Sequence, residues 1–255
     1  MNTKELISQE FNKDIGLIIN ALQAYENNLV SIYLYGGYGR NEGSWVIEDD
    51  TSVRPYNDYD IALVVNIYIK KEIIDKVKDN LKKRINIKWI DISQYTINDL
   101  KNLKTSIKNY DFKYASKLLY GEDSVKIYTP EMKQKNIGLE DIYVLYKTRI
   151  WTLIGSFDEN GLTMMKKDNE MFFRNQMAKA VLAIVDCILI QNQLYECSYV
   201  KRVDKIKTCI TDTELLNLSK WAINEKLFKK YKQMKKQEIE AMYNSVNRLF
   251  FKYFF

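Results

Sequence analysis

The sequence of 255 residues holds no histidine, three cysteines, two prolines and nine glycines. Without imidazole there can be no Ser-His-Asp or Cys-His nucleophile and no His-ligated zinc, iron or haem. The cysteines, Cys187, Cys197 and Cys209, are odd in number and widely spaced, so neither a disulfide framework nor a zinc site is expected. So little proline and glycine excludes collagen-like and low-complexity architectures, and 13% aromatic residues, nineteen of them tyrosine, point to a packed globular chain. Long apolar runs are missing too. The most apolar stretch, Ala178 to Ile190, is too short for a bilayer and carries Asp186, which predicts a buried helix and no membrane span. The first fifteen residues mix charged and apolar residues at helical spacing, unlike a secretory leader, so a cytoplasmic location is expected. Whatever chemistry occurs must run on carboxylates, amines, hydroxyls or an oxygen-ligated metal.

Charge is unevenly spread. Residues 1–130 carry 18 Lys+Arg against 18 Asp+Glu, and residues 131–255 carry 21 against 15, so the whole excess of +6 lies in the second half. A basic second half can attract anionic partners, although a lysine-rich solvated helical surface explains it equally. Two domains are expected, 1–130 and 131–255, with the break in the segment from Thr129 to Gly138.

The first part reads as α/β. An amphipathic helix over Lys4 to Glu26 leads to a β-rich run, Leu29 to Tyr35, ended by Gly36-Gly37. Asp60 to Val65 is a second apolar strand, Glu72 to Arg84 a lysine-rich helix, and Ile85 to Ile92 a third strand. Helices near Thr96 to Ser106 and Asp111 to Tyr120 complete this half. The second part shows helical periodicity over Leu139–Phe157, Glu170–Gln193, Asp212–Lys230 and Lys235–Phe250, which predicts an all-α bundle. The terminal Phe250 to Phe255 is too aromatic to hang in water and is expected to pack on the bundle or on a second copy, leaving a homodimer open.

Glycines at a strand end let the backbone turn sharply and approach a ligand, and Tyr35-Gly36-Gly37-Tyr38-Gly39-Arg40 adds a guanidinium suited to phosphate. In the next strand Asp58 and Asp60 are separated by one residue, so on an extended chain both carboxylates project from one face. Like charges side by side are best accommodated by a divalent cation. A third carboxylate, Asp91, lies inside the third strand, where a buried, unpaired charge would be costly.

Strand, GG-x-GR, D-x-D on the following strand and a later strand aspartate together resemble the DNA polymerase β-like nucleotidyltransferase superfamily. Within it, Gly36 to Gly43 (GGYGRNEG) is similar to the glycine motif of the uridylyltransferases that modify PII-type nitrogen-signalling proteins. The likeness runs over residues 29–123. Two departures accompany it. The gap from Gly37 to Asp58 is lengthened by Ser44 to Arg54, a candidate substrate-recognition loop or lid, and Gly37 stands where many members have a serine.

The resemblance implies an α/β nucleotidyltransferase core, a mixed sheet with flanking helices, followed by the helical bundle. It implies transfer of a nucleoside monophosphate from an NTP to an acceptor hydroxyl with release of pyrophosphate. Asp58, Asp60 and Asp91 would be the catalytic, metal-binding residues, holding two Mg2+ ions or Mn2+, and Gly36, Gly37 and Arg40 would bind the nucleotide phosphates. A small molecule, a protein side chain and a tRNA or other RNA 3′ end all remain open as acceptor. Further candidate cations are Arg54, Lys147, Arg149, Arg174 and Lys179; candidate base-stacking residues are Tyr35, Tyr38, Tyr56 and Tyr59. Glu42 is a candidate partner for Arg40. The alternative is a catalytically inactive nucleotide-binding or RNA-binding module that kept the fold.

Overall fold

A computed structural model of the chain describes residues 2–47, 52–56, 58–85, 87, 89–155, 157–158, 161–162, 167–229 and 234–254. The chain forms two compact units, Met1–Met132 and Lys133–Phe255.

In the N-terminal unit, helix α1 (Thr3–Gln23) is started by a reciprocal cap, Asn2 accepting from the Glu5 backbone while Glu5 accepts from that of Asn2. Its inward residues Asp14, Ile18 and Leu22 recur at four-residue spacing. Strand β1 (Leu29–Tyr35) follows, then the one-turn helix α2 (Gly36–Gly39), a hairpin of β2 (Trp45–Ile47) and β3 (Val53–Pro55), strand β4 (Tyr59–Val65), helix α3 (Lys71–Ile85) and strand β5 (Ile90–Tyr95). Short helices α4 (Ile97–Lys101) and α5 (Ile107–Ala115), strand β6 (Lys117–Gly121) and helix α6 (Ser124–Tyr128) complete the unit.

The main sheet is mixed, with strand order β5-β4-β1-β6. Strand β1 is antiparallel to both β4 and β6, and β4 is parallel to β5. Alternate β4 residues face opposite layers, because successive side chains of a strand do so. Tyr59, Ile61, Leu63 and Val65 join the core under α1 and α3, whereas Ala62 and Val64 join Tyr33, Leu100, Phe112 and Val125 beneath α4, α5 and α6.

Two elements differ from the sequence reading. The expected third strand, Ile85 to Ile92, is instead the end of α3 followed by β5 at Ile90–Tyr95; Asn86 and Lys88 lie outside the described residues. Leu81 and Ile85, one helical turn apart and both buried, keep the helix on the core past the point where local β character begins. The expected helix Asp111–Tyr120 is α5, capped by Ser106, and then strand β6, drawn out of helix by pairing with the edge of β1. The Ser44 to Arg54 segment is the β2–β3 hairpin, paired Trp45 to Pro55, with residues 48–51 outside the described set.

The C-terminal unit contains helices α7 (Leu139–Ile154), α8 (Lys167–Gln191), α9 (Tyr199–Lys205), α10 (Thr213–Leu227) and α11 (Lys236–Phe254). Helix α8 is central, with α7, α10 and α11 packed on it, and residues 176–190 are buried almost without interruption. A helix apolar on every side belongs inside a bundle. Helix α9 was not evident in the periodicity, being only seven residues long. Phe250 is fully buried and stacks on Tyr146 at 5.3 Å, with Phe254 at 4.6 Å, so part of the aromatic terminus does pack on the bundle; Phe251 is half exposed, and Phe255 lies outside the described residues. Among the described residues no helix is long and apolar enough to cross a membrane.

Candidate active site

Tyr59 is wholly buried in the core cluster that also holds Tyr38 and Trp45, its ring tilted against those of Phe11 and Tyr38. Its burial fixes the phase of β4 and sends its neighbours Asp58 and Asp60 to the other face. Parallel pairing of β4 with β5 then sets Asp60 directly beside Asp91. The three aspartates each offer a carboxylate oxygen, and these oxygens lie within 4.8 Å of one another. Asp58 and Asp60 are half-buried; Asp91 is exposed. The sequence reading put Asp91 inside a strand as a buried charge, but it sits near the start of β5, where its side chain reaches water.

Gly36 forms the opposite wall. It has φ +65°, a left-handed conformation costly for other residues, and a Cβ there would collide with the Asp60 carboxylate. The lack of a side chain therefore lets the turn and Asp60 approach each other. At Gly37 a Cβ would sit 3.3 Å from the Glu42 carbonyl oxygen, a tight contact but not a collision.

Beneath the carboxylates, Tyr35 pairs in register with Asp60, and its phenol lies 3.2 Å from the Ser93 hydroxyl. Burial, and with it the charges of Asp60 and Asp91, pushes Tyr35 up to about 12, against the opposing pull of Ser93. Tyr35 is thus a neutral phenol at physiological pH, the floor of the site. Neither Tyr35 nor Ser93 was read as a site support; only the alternation of β5 from Asp91 to Ser93 hinted at the second.

Three oxygen donors close together, with no lysine or arginine paired to Asp58 or Asp91 among the described residues, suit a hard divalent cation such as Mg2+ or Mn2+. The donor set contains no sulfur or nitrogen and one member faces solvent, so the residues fit a metal that keeps open positions for substrate oxygens.

Several other expected residues have partners within their own unit. Arg40 is in an ion pair with Asp111 at 2.9 Å and with Glu42 at 3.5 Å, all three side chains being nearly buried. Arg174 is paired with Glu170 and Glu225 inside the C-terminal unit, and Arg149 meets Gln176 at 3.4 Å. Tyr38 and Tyr59 are core residues. Asp111 was not singled out from sequence as a partner of Arg40, and no local signal links residues 71 positions apart.

No family model matches the sequence, and no curated protein matches it. Among solved structures the chain is similar to spectinomycin adenyltransferase AAD(9) from Enterococcus faecialis with ATP and spectinomycin, at TM-score 0.55 and 11% identity, over 95% of this chain and 98% of that one. A toxin–antitoxin structure with AMP-PNP matches at TM-score 0.32 and 14% identity over 53% of this chain and 90% of that chain. The toxin–antitoxin MntA-HepT matches at 0.31 and 13%, over 55% and 90%. The first likeness establishes a shared fold across both units; the other two are too low to argue from.

Proposed function

We propose that the protein is a metal-dependent nucleotidyltransferase that moves a nucleoside monophosphate from an NTP to an acceptor hydroxyl and releases pyrophosphate. The observation that carries this reading is the convergence of Asp58, Asp60 and Asp91 opposite the side-chain-free wall of Gly36. A fold shared with an adenyltransferase supports it, as does the absence of histidine, which this chemistry does not need.

Asp58, Asp60 and Asp91 would hold the cations, and Gly36 and Gly37 would let the triphosphate come close to the strand end. Bound divalent ions would screen the triphosphate and acidify the acceptor hydroxyl. Exposed Asp91 takes the acceptor proton on a carboxylate oxygen while the acceptor oxygen bonds to the α-phosphorus and the bond to the β-phosphate oxygen breaks. Retaining three mutually repelling carboxylates argues against the inactive-module alternative, because a fold that only bound RNA would gain from losing them.

For the acceptor, the match to a spectinomycin adenyltransferase along nearly the full length of both chains favours a small polyhydroxylated molecule over protein or tRNA. The test is incubation with Mg2+ and each α-labelled NTP in the presence of aminocyclitols, tRNA or total protein. Label is expected in the small-molecule fraction with stoichiometric pyrophosphate. Undiminished transfer by Asp58→Ala and Asp60→Ala would refute the site.

A further inference from the structure

The turn after β1 is braced from outside itself. Arg40, which ends it, donates from Nη1 to Asp111 of α5 at 2.9 Å, and its Nε lies 3.5 Å from a Glu42 carboxylate oxygen in an ion pair without a hydrogen bond. The three side chains are 8%, 13% and 7% exposed respectively. Backbone bonds tighten the same segment: the Arg40 amide donates to Gly36 at 3.1 Å and the Glu42 amide to Gly37 at 2.8 Å. Gly39 is pressed between the carbonyls of Leu34 and Ala115, where a Cβ would lie 2.7 and 3.1 Å from their oxygens. Asn41, at φ 62°, accepts from Lys117 Nζ of β6. At its far end this braced turn presents Gly36 to the Asp60 carboxylate.

A nearly buried guanidinium already engaged by two carboxylates of its own fold is well suited to fixing a loop. We propose that Asp111, acting through Arg40, is a positioning residue of the site: the pair locks the Gly36–Gly39 turn against Asp60 and so fixes the orientation in which Asp60 meets a divalent cation. This rests on the metal-site reading above. It makes Arg40 an internal strut and not a hand on the triphosphate.

The test needs no acceptor. Mn2+ is titrated into the full chain and followed by EPR, with amide hydrogen exchange of residues 36–44 measured in parallel on the metal-free protein. Asp111→Asn and Arg40→Lys, which keeps the charge but loses the fork, are each expected to weaken Mn2+ binding about tenfold. Both should speed exchange in the turn about tenfold while central β1 and β4 amides stay protected. Asp111→Glu should recover most of the affinity. Loss of Mn2+ binding in Asp60→Asn together with wild-type affinity in Asp111→Asn overturns this inference and leaves the metal site standing; wild-type affinity in Asp60→Asn overturns the metal site itself. A second probe, α,β-methylene-ATP with Mg2+, separates the strut from a direct phosphate contact. A strut predicts weaker binding in Asp111→Asn, whereas a phosphate-gripping Arg40 released from its carboxylate predicts tighter binding, and that result sinks the proposal.

Discussion

Inside the C-terminal unit, Asp186 of α8 is buried, and Arg202 of α9 reaches both of its oxygens at 3.0 and 3.1 Å while its own plane rests on the rings of Tyr195 and Tyr199. Glu170 and Glu225 share Arg174 in the same manner. In the N-terminal unit, by contrast, Asp58, Asp60 and Asp91 face one another. An acid matched by a guanidinium from the same fold is satisfied by folding, and its loss is felt as instability. Acids set against one another repel, and a divalent cation is suited to offset that repulsion.

The sharpest way to break this contrast is to remove one member of the acid cluster. Asp58→Ala is expected to lower nucleotidyl transfer by at least about 1,000-fold, about 4 kcal/mol of transition-state stabilisation, with a melting temperature equal to or above that of the native protein. A fall in melting temperature matching the fall in activity would show that these aspartates serve packing. Arg202→Ala is the mirror experiment: denaturant unfolding should register a loss of about 3–5 kcal/mol, because Asp186 is left charged and buried. An unchanged midpoint would remove the structural half of the comparison.

Asp14 stands between the two cases. It is fully buried on α1, accepts from the Tyr59 hydroxyl at 2.9 Å, and its other oxygen has no hydrogen-bond partner among the described residues. Burial raises it to about 6, the Tyr59 hydrogen bond opposing. The folded state therefore holds this proton to higher pH than the unfolded chain does. Its stabilising effect is complete below about pH 4 and is lost as pH rises through 6, a difference of about 3 kcal/mol by pH 8. Asp14→Asn, which still accepts from Tyr59, should flatten that part of the stability profile, measured by urea unfolding between pH 4 and 8; a profile as steep as the native one would place the titrating group elsewhere.

The smallest expected effect sharpens the comparison from the cluster's side. Saturating Mg2+ should stabilise the native protein by about 2–3 kcal/mol at a hundredfold excess over its dissociation constant, and Asp91→Asn should abolish most of that gain in thermal unfolding. Equal stabilisation of both proteins would detach Asp91 from the metal.

Several parts of this architecture were legible before any coordinates. The bounds of strand β1, Leu29 and Tyr35, follow from an apolar β-branched and aromatic run that meets two glycines, and the existence of α1, though not its end at Gln23, from its apolar period. The shared face of Asp58 and Asp60 follows from their spacing alone. Asp91 was flagged for its residue type in an apolar run, yet the reason given, a buried charge, was mistaken; what brings it to Asp60 is strand pairing, which no local pattern encodes. Residues Lys117 to Tyr120 of β6 read as the end of a helix from Asp111, since they carry no polar–apolar alternation of their own. Only the open edge of β1 makes them a strand.

Residue chemistry and short-range periodicity are properties of the chain, so the sequence alone determined that imidazole plays no part, that one half is α/β and the other helical, and that a pair of aspartates projects from one side of a strand. Register between strands and contacts between residues far apart depend on which apolar surfaces bury one another. Tertiary structure therefore decided that Asp91 stands beside Asp60, that Gly36 leaves room for a carboxylate, and that Asp111, far along the chain, meets Arg40.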